Sequence, residues 1–214
     1  MVLRIAAALT LAALSHAQPV IVSFGDSLTA PRKGVVTYSD VLKLLNRGVG
    51  GNNTDQARAR FEKDVLAAHP NLVIIQLGTN DAAVDVWKKP PATEPRVSIA
   101  RYRENIQYFI DSLRRVNAKI ILMTPNRMAW TPKLRDLYGR PPYNTATDDG
   151  FNLLLDLYSD VLRGIAMREN IPLVDAAKIV LPEHLLDGMH PSTEGHRLVA
   201  EALRPVIRRE LNLP

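Results

Sequence analysis

The chain has 214 residues, 46% of them hydrophobic and 23% charged, with a formal net charge of +5 and no cysteine. That length suits one domain with a full core, and the missing thiol excludes a cysteine nucleophile, a thiolate metal ligand and a disulfide framework. The basic residues, Arg101, Arg103, Arg114, Arg115, Arg208 and Arg209 among them, are spread among acids in helical patterns, which argues against a nucleic-acid partner.

Residues 1–4 form a short basic start, 5–14 a short apolar stretch, and Ser15-His16-Ala17 supplies small residues at a cleavage position. This reads as a secretory signal cleaved after Ala17, too short to span a bilayer, so a secreted or periplasmic protein without a stable membrane anchor is expected. Its removal leaves a charge of about +4 on a single domain over 18–214.

From there, apolar runs of strand length alternate with longer helical patterns. Strands are expected at 20–24, near 46–49, at 72–77 (LVIIQL), at 119–123 (KIILM) and at 171–174. Helices are expected at 38–45, 54–69 (with Asn53 or Thr54 as cap), 99–116, 150–170 and 193–211. The alternation predicts βαβ units and a parallel sheet covered on both faces. Two segments interrupt it, 82–97 and 126–149, rich in proline and aromatics, and each follows a strand end. Open α/β sheets bind ligands at that edge, and loops of this length usually carry function.

Four short pieces fall at strand ends or helix starts. In IVSFGDSL (21–28), Gly25 permits a sharp turn and Ser27 is offered at the carboxyl edge of the sheet, where strand should hand over to helix. A serine hydroxyl needs a base in reach to act as nucleophile. DGMH (187–190) supplies that base, His190, and an orienting acid, Asp187, on one short loop. GVGGN (48–52) and GTND (78–81) offer donors for an oxyanion, the Gly51 N–H and the Asn80 amide, beside the Ser27 N–H. Each piece alone reads as a turn or cap; together they converge on one edge. His184 and His196 lie near DGMH, but no matching ligand set accompanies them, so no metal is expected.

These blocks resemble the SGNH, or GDSL, hydrolase superfamily: GDSL at 25–28, NRGVGGN at 46–52, GTND at 78–81 and DGMHPSTEGH at 187–196. The resemblance implies a flavodoxin-like three-layer α/β/α sandwich with a central parallel five-stranded sheet. It also implies Ser27 as nucleophile, His190 as base, Asp187 as its partner, an oxyanion hole of Ser27, Gly51 and Asn80, and no cofactor. Position 52 is Asn where the family often has Asp. G-x-S-x-G is absent around Ser27, which separates the chain from the ordinary α/β-hydrolases. The proline-rich region from 82 to 102 is similar to esterases that hydrolyse isoamyl acetate. Short-chain esters, acetyl foremost, of carbohydrates or small alcohols are the expected substrates, with lysophospholipid hydrolysis and a non-catalytic carbohydrate-binding protein as alternatives. Trp87, Trp130, Tyr138 and Tyr143 either stack on a sugar face or cover the sheet edge as core.

Overall fold

The computed structural model describes residues 18–214; the expected signal segment lies outside them. The elements run β1 (Ile21–Gly25), α1 (Tyr38–Leu42), β2 (Leu45–Gly48), α2 (Thr54–Asp64), β3 (Leu72–Gln76), α3 (Thr79–Ala82), α4 (Ile99–Arg115), β4 (Lys119–Met123), α5 (Pro132–Tyr138), α6 (Leu153–Glu169), β5 (Leu173–Val174), α7 (Ala176–Ile179) and α8 (Thr193–Glu210). The sheet order is β2-β1-β3-β4-β5 with every pairing parallel. This is the flavodoxin-like three-layer α/β/α order, whose switch point lies between β1 and β3.

Side-chain alternation divides the core between the two faces of the sheet. Val73 and Ile75 of β3 and Ile120 and Leu122 of β4 pack with Phe61 of α2, Phe109 of α4 and Leu162 of α6. Leu72, Ile74, Ile121 and Met123 face the other way, onto Tyr38 of α1, Ala176 of α7 and Val199 and Leu203 of α8. With both faces covered, β3 is buried at every position, which is why it reads as a continuous apolar run rather than an alternating one.

Several expected boundaries shift for local reasons. The helix expected over 38–45 ends at Leu42 because Lys43 turns left-handed, at φ 55°, so β2 starts at Leu45. The helix expected over 54–69 is α2, capped by Asn53 and Gln56, followed by a short 3-10 turn, Leu66–Ala68, that His69 closes at φ 48°. Residues 148–151 form a 3-10 turn ahead of α6 rather than its first turn. The segment expected as loop over 126–149 contains α5, capped by Thr131 with Pro132 at its first position, a start signal that the surrounding prolines and aromatics obscure in the sequence.

Candidate active site

Ser27 follows β1 directly. The chain does not pass into a helix there, as the sequence suggested, but into a hydrogen-bonded turn in which the Thr29 and Ala30 amides donate to the Asp26 carbonyl. Gly25 is obligatory at this bend: a Cβ would lie 2.3 Å from the Thr29 hydroxyl and 2.6 Å from the Gln76 carbonyl of the neighbouring strand. The turn therefore packs tightly on β3, and the Ser27 side chain is held at the sheet edge, half-buried.

His190 arrives from the other end of the chain. The loop that carries it is closed on itself by hydrogen bonds from Leu186 N to His190 O (2.8 Å) and from Ser192 N to His184 O (2.7 Å). It is tied to the segment after β4, where the Asn126 amide donates to Met189 O at 3.0 Å and Ala129 N to Gly188 O at 2.8 Å. Ser192 then caps α8. The result places His190 Nε2 3.0 Å from Ser27 Oγ and His190 Nδ1 2.9 Å from Asp187 Oδ2. A carboxylate can only accept, so Nδ1 carries the ring proton and Nε2 presents its lone pair to the serine hydroxyl.

Asp187 also accepts from the backbone N–H groups of His190 (2.9 Å) and Met189 (3.1 Å). Partial burial pushes its carboxyl up, but these bonds and the His190 ring outweigh burial and hold it below its ordinary range. Arg32, which the sequence reading did not single out, reaches the outer side of this half-exposed acid, with Nη1 3.5 Å from Oδ2.

The two donor loops meet Ser27 from β2 and β3. Gly51 takes a left-handed conformation, φ 79°, which a side chain would strain. The adjacent Gly50 is so near the nucleophile that a Cβ there would touch Ser27 Cβ at 3.8 Å. Among the described residues, the N–H groups of Ser27 and Gly51 have no hydrogen-bond partner. Asn80 Nδ2 donates to the Asn52 carbonyl at 3.1 Å and, more loosely, to Asp26 Oδ2 at 3.3 Å; its Oδ1 accepts from Arg96 Nη1 at 3.0 Å. The structure thus joins Ser27, His190 and Asp187 directly, and sets Asn80 against Asp26 and Asn52, the neighbours of Ser27 and Gly51 in the chain.

It also supplies supports that the short motifs did not reveal. Asp81 accepts from the Thr54 amide, at 3.0 Å, and from the Thr54 hydroxyl, joining the GTND turn to the start of α2. Arg60 donates to Asn52 Oδ1 (2.7 Å), Arg47 O (2.8 Å) and Gly25 O (2.9 Å) and lies over the Phe24 ring. Asn52 therefore supplies the acceptor that an acid would supply at this position. Asp26 lies fully buried behind the nucleophile; burial, the largest cause, pushes its carboxyl up to about 7, against a hydrogen bond from Leu28 N. Burial likewise pushes Asp81 up to about 6. Among the described residues no cluster of three or more His, Asp or Glu side chains is placed to hold a metal, and His184 Nδ1 accepts from Leu181 N instead.

Beyond Asn80 and Met189 lies a recess with walls of Ala82, Met128, Tyr138, Tyr143, Phe151 and Leu155. Its free volume of about 40 Å³ is well below the ~150 Å³ that accommodates benzene in an engineered cavity. Three of the four aromatics considered for sugar stacking build or back this wall. Trp130 stacks on Phe151 with centroids 4.5 Å apart, and Tyr138 and Tyr143 pack edge-on at 5.4 Å. Only Trp87 is substantially exposed, at 43%.

A flavodoxin-like sheet presenting a serine, a histidine and an acid in hydrogen-bond series at its switch point defines a hydrolase of the acyl-transfer class. The family model described as GDSL-like Lipase/Acylhydrolase matches residues 23–198, and the chain belongs to that family of carboxylic ester hydrolases. A lipoprotein of Bacillus subtilis (strain 168), YqeF, is 34% identical over 181 residues, covering 76% of this chain and 72% of the relative. An acetylxylan esterase of Geobacillus stearothermophilus is 28% identical over 172 residues, 75% of this chain and 70% of the relative. Solved structures of a GDSL-like lipase from Bacteroides thetaiotaomicron VPI-5482 and of a catalytic mutant of the Geobacillus esterase share the fold. Each superposes with a TM-score of 0.67, at 24% and 23% identity. They cover 90% and 92% of this chain and 92% and 95% of the respective structures.

Proposed function

We propose that the protein is an exported serine esterase that removes short acyl groups, acetyl foremost, from carbohydrates or small alcohols. The observation that carries the mechanism is the series Asp187–His190–Ser27, with contacts of 2.9 and 3.0 Å. His190 Nε2 takes the Ser27 proton as Oγ attacks the ester carbonyl, and Asp187 stabilises the imidazolium that forms. The oxyanion rests on the Ser27 and Gly51 N–H groups and on Asn80 Nδ2, whose long contact to Asp26 is the one it shares or releases. His190 returns its proton to the leaving alcohol; the acyl-enzyme is then hydrolysed by a water that His190 deprotonates, which frees the acid and restores Ser27. No metal or cofactor takes part in this sequence.

A short acyl group is supported by the recess beyond Asn80, whose walls are mostly apolar and whose free volume is about 40 Å³. The acetylxylan esterase relative favours an acetylated sugar as alcohol partner. Export rests on the pattern of residues 1–17. Among the described residues no helix is long and apolar enough to cross a membrane.

The test is acid release by the purified protein from acetylated polysaccharide, short-chain alkyl acetates and lysophospholipid, with Ser27→Ala alongside. Acetate from polysaccharide or small esters, lost in the variant, is the expected result. Preference for lysophospholipid would keep the chemistry and overturn the substrate; binding of carbohydrate without turnover would overturn both.

A further inference from the structure

The proline-rich segment that follows α3 has no part in the four motifs, yet it places a cation against one of the proposed oxyanion donors. We propose that Arg96, clamped by Asp85, is a positioning residue that fixes the amide of Asn80 with its nitrogen toward the reacting carbonyl. The proposal rests on reading Asn80 as an oxyanion donor.

An asparagine amide has two ends of nearly equal shape, and only its neighbours decide which faces the site. On one side of Asn80 stands the Asn52 carbonyl, which can only accept, at 3.1 Å, with the Asp26 carboxyl more loosely placed at 3.3 Å. On the other side stands Arg96 Nη1, which can only donate, 3.0 Å from Oδ1. Turning the amide over would set oxygen against oxygen on the first side and N–H against N–H on the second. The bond to Asp26 is long, so Arg96 provides the stronger constraint on the amide, and one that a substrate oxygen does not displace.

Arg96 is itself held. Its Nη2 and Nε lie 2.6 and 2.9 Å from Asp85 Oδ1, and Lys88 Nζ lies 2.7 Å from the other carboxyl oxygen. Asp85 is only 7% exposed as a side chain. Burial alone would raise its carboxyl, but the hydrogen bonds from Arg96 and Lys88 prevail and hold it below its ordinary range. The backbone follows the same course, with Arg96 N donating to Ala83 O at 2.9 Å and Val97 N to Asp81 O at 3.2 Å. The segment is therefore a strap that leaves α3, turns through its prolines and returns to brace the residue at the start of that same helix. A forked guanidinium suits this task, since it bonds Asp85 with two nitrogens and still has a third for Asn80.

The experiment measures kcat and KM on 4-nitrophenyl acetate for Arg96→Met, Arg96→Lys and Asp85→Asn, each in the native chain and in Asn80→Ala, with Ser27→Ala as the inactive reference and thermal midpoints recorded throughout. A positioning role predicts that Arg96→Met lowers kcat by roughly 10- to 100-fold, less than the roughly 10²- to 10³-fold cost of losing an oxyanion donor outright. KM should stay within about twofold, and the loss should vanish in the Asn80→Ala background, because two changes acting through one group do not multiply. Arg96→Lys should recover part of kcat. Asp85→Asn, which loosens the clamp while keeping Arg96, should lose kcat in the same background-dependent way, and it provides the test if Arg96→Met does not fold. Full kcat in Arg96→Met, a loss confined to KM, or an undiminished loss in Asn80→Ala would each overturn the proposal. If Asn80→Ala keeps full kcat while Ser27→Ala is dead, Asn80 is not a donor and the proposal falls with it, leaving the serine mechanism standing. Activity in Ser27→Ala would instead refute the proposed function itself.

Discussion

At the scale of single residues, the site is a set of short, directional contacts whose chemistry follows from which atoms can donate. Because Asp187 fixes the proton on His190 Nδ1, Nε2 is left to receive the Ser27 proton at 3.0 Å. Ser27→Ala and His190→Ala should each lower kcat by roughly 10⁴- to 10⁶-fold, and together by little more than either alone, since the two act as a unit. Asn80→Ala should cost roughly 10²- to 10³-fold in kcat, as for one oxyanion donor; steady-state kinetics on a short acetate ester checks all three. These residues were legible in the sequence because each lies in a short motif next to a strong apolar run. Asp26 and Asp81 also lie in motifs, yet nothing in GDSL or GTND says that their carboxyls are buried. Arg60 and Arg96 were not legible at all: they lie in ordinary helix and loop sequence, and their partners, Gly25 and Asn80, are far away or beyond a turn.

At the scale of elements, five strands and the helices α1, α2, α4, α6 and α8 were readable from period and length, though α1 is shorter than expected, and their order sufficed for the sheet class. What the sequence concealed were short pieces, α3, α5 and α7, with too few residues to show a period. The aromatics of α5 and its flanks had two readings, sugar platform or cover for the sheet edge. The structure favours the second for Trp130, Tyr138 and Tyr143, since they pack around Phe151. The tightest element-level constraint is the β1 turn. Gly25→Ala forces a methyl against the Thr29 hydroxyl and the β3 backbone. It should destabilise the protein by about 1–3 kcal/mol, as overpacking does, and displace Ser27, so both the urea midpoint and kcat should drop. Phe61 on α2 meets Phe24 and Phe109 at centroid distances of 5.3 and 4.7 Å. Phe61→Ala should cost about 3–5 kcal/mol with kcat of the remaining folded protein little changed, which separates core from site in the same two measurements.

At the scale of the whole molecule, two buried carboxyls behind the site couple folding to pH. The folded-state values of about 7 for Asp26 and about 6 for Asp81 lie above the ordinary 3.8, so between those limits the native state keeps protons that the unfolded chain has released. Their contribution to stability is complete below about pH 4 and is lost as pH rises through 6 to 7. His196, which burial pushes down to about 4, acts in the opposite sense: its contribution is complete above its unfolded value and is lost as pH falls. The separable prediction is a difference between proteins. Relative to the native chain, Asp26→Asn should gain in thermal midpoint from pH 5 to about pH 7 and level off above it; a constant difference would contradict the burial-driven shift.

The whole account turns on Ser27 being an activated nucleophile rather than a turn residue, and covalent capture tests that directly. The purified protein is treated with a fluorophosphonate, which reacts with serines that a neighbouring base has activated, and the intact mass and digest are read. A single adduct on the peptide carrying Ser27, absent from Ser27→Ala and formed far more slowly by His190→Ala, is the predicted result. No adduct, or one that persists in Ser27→Ala, would contradict it.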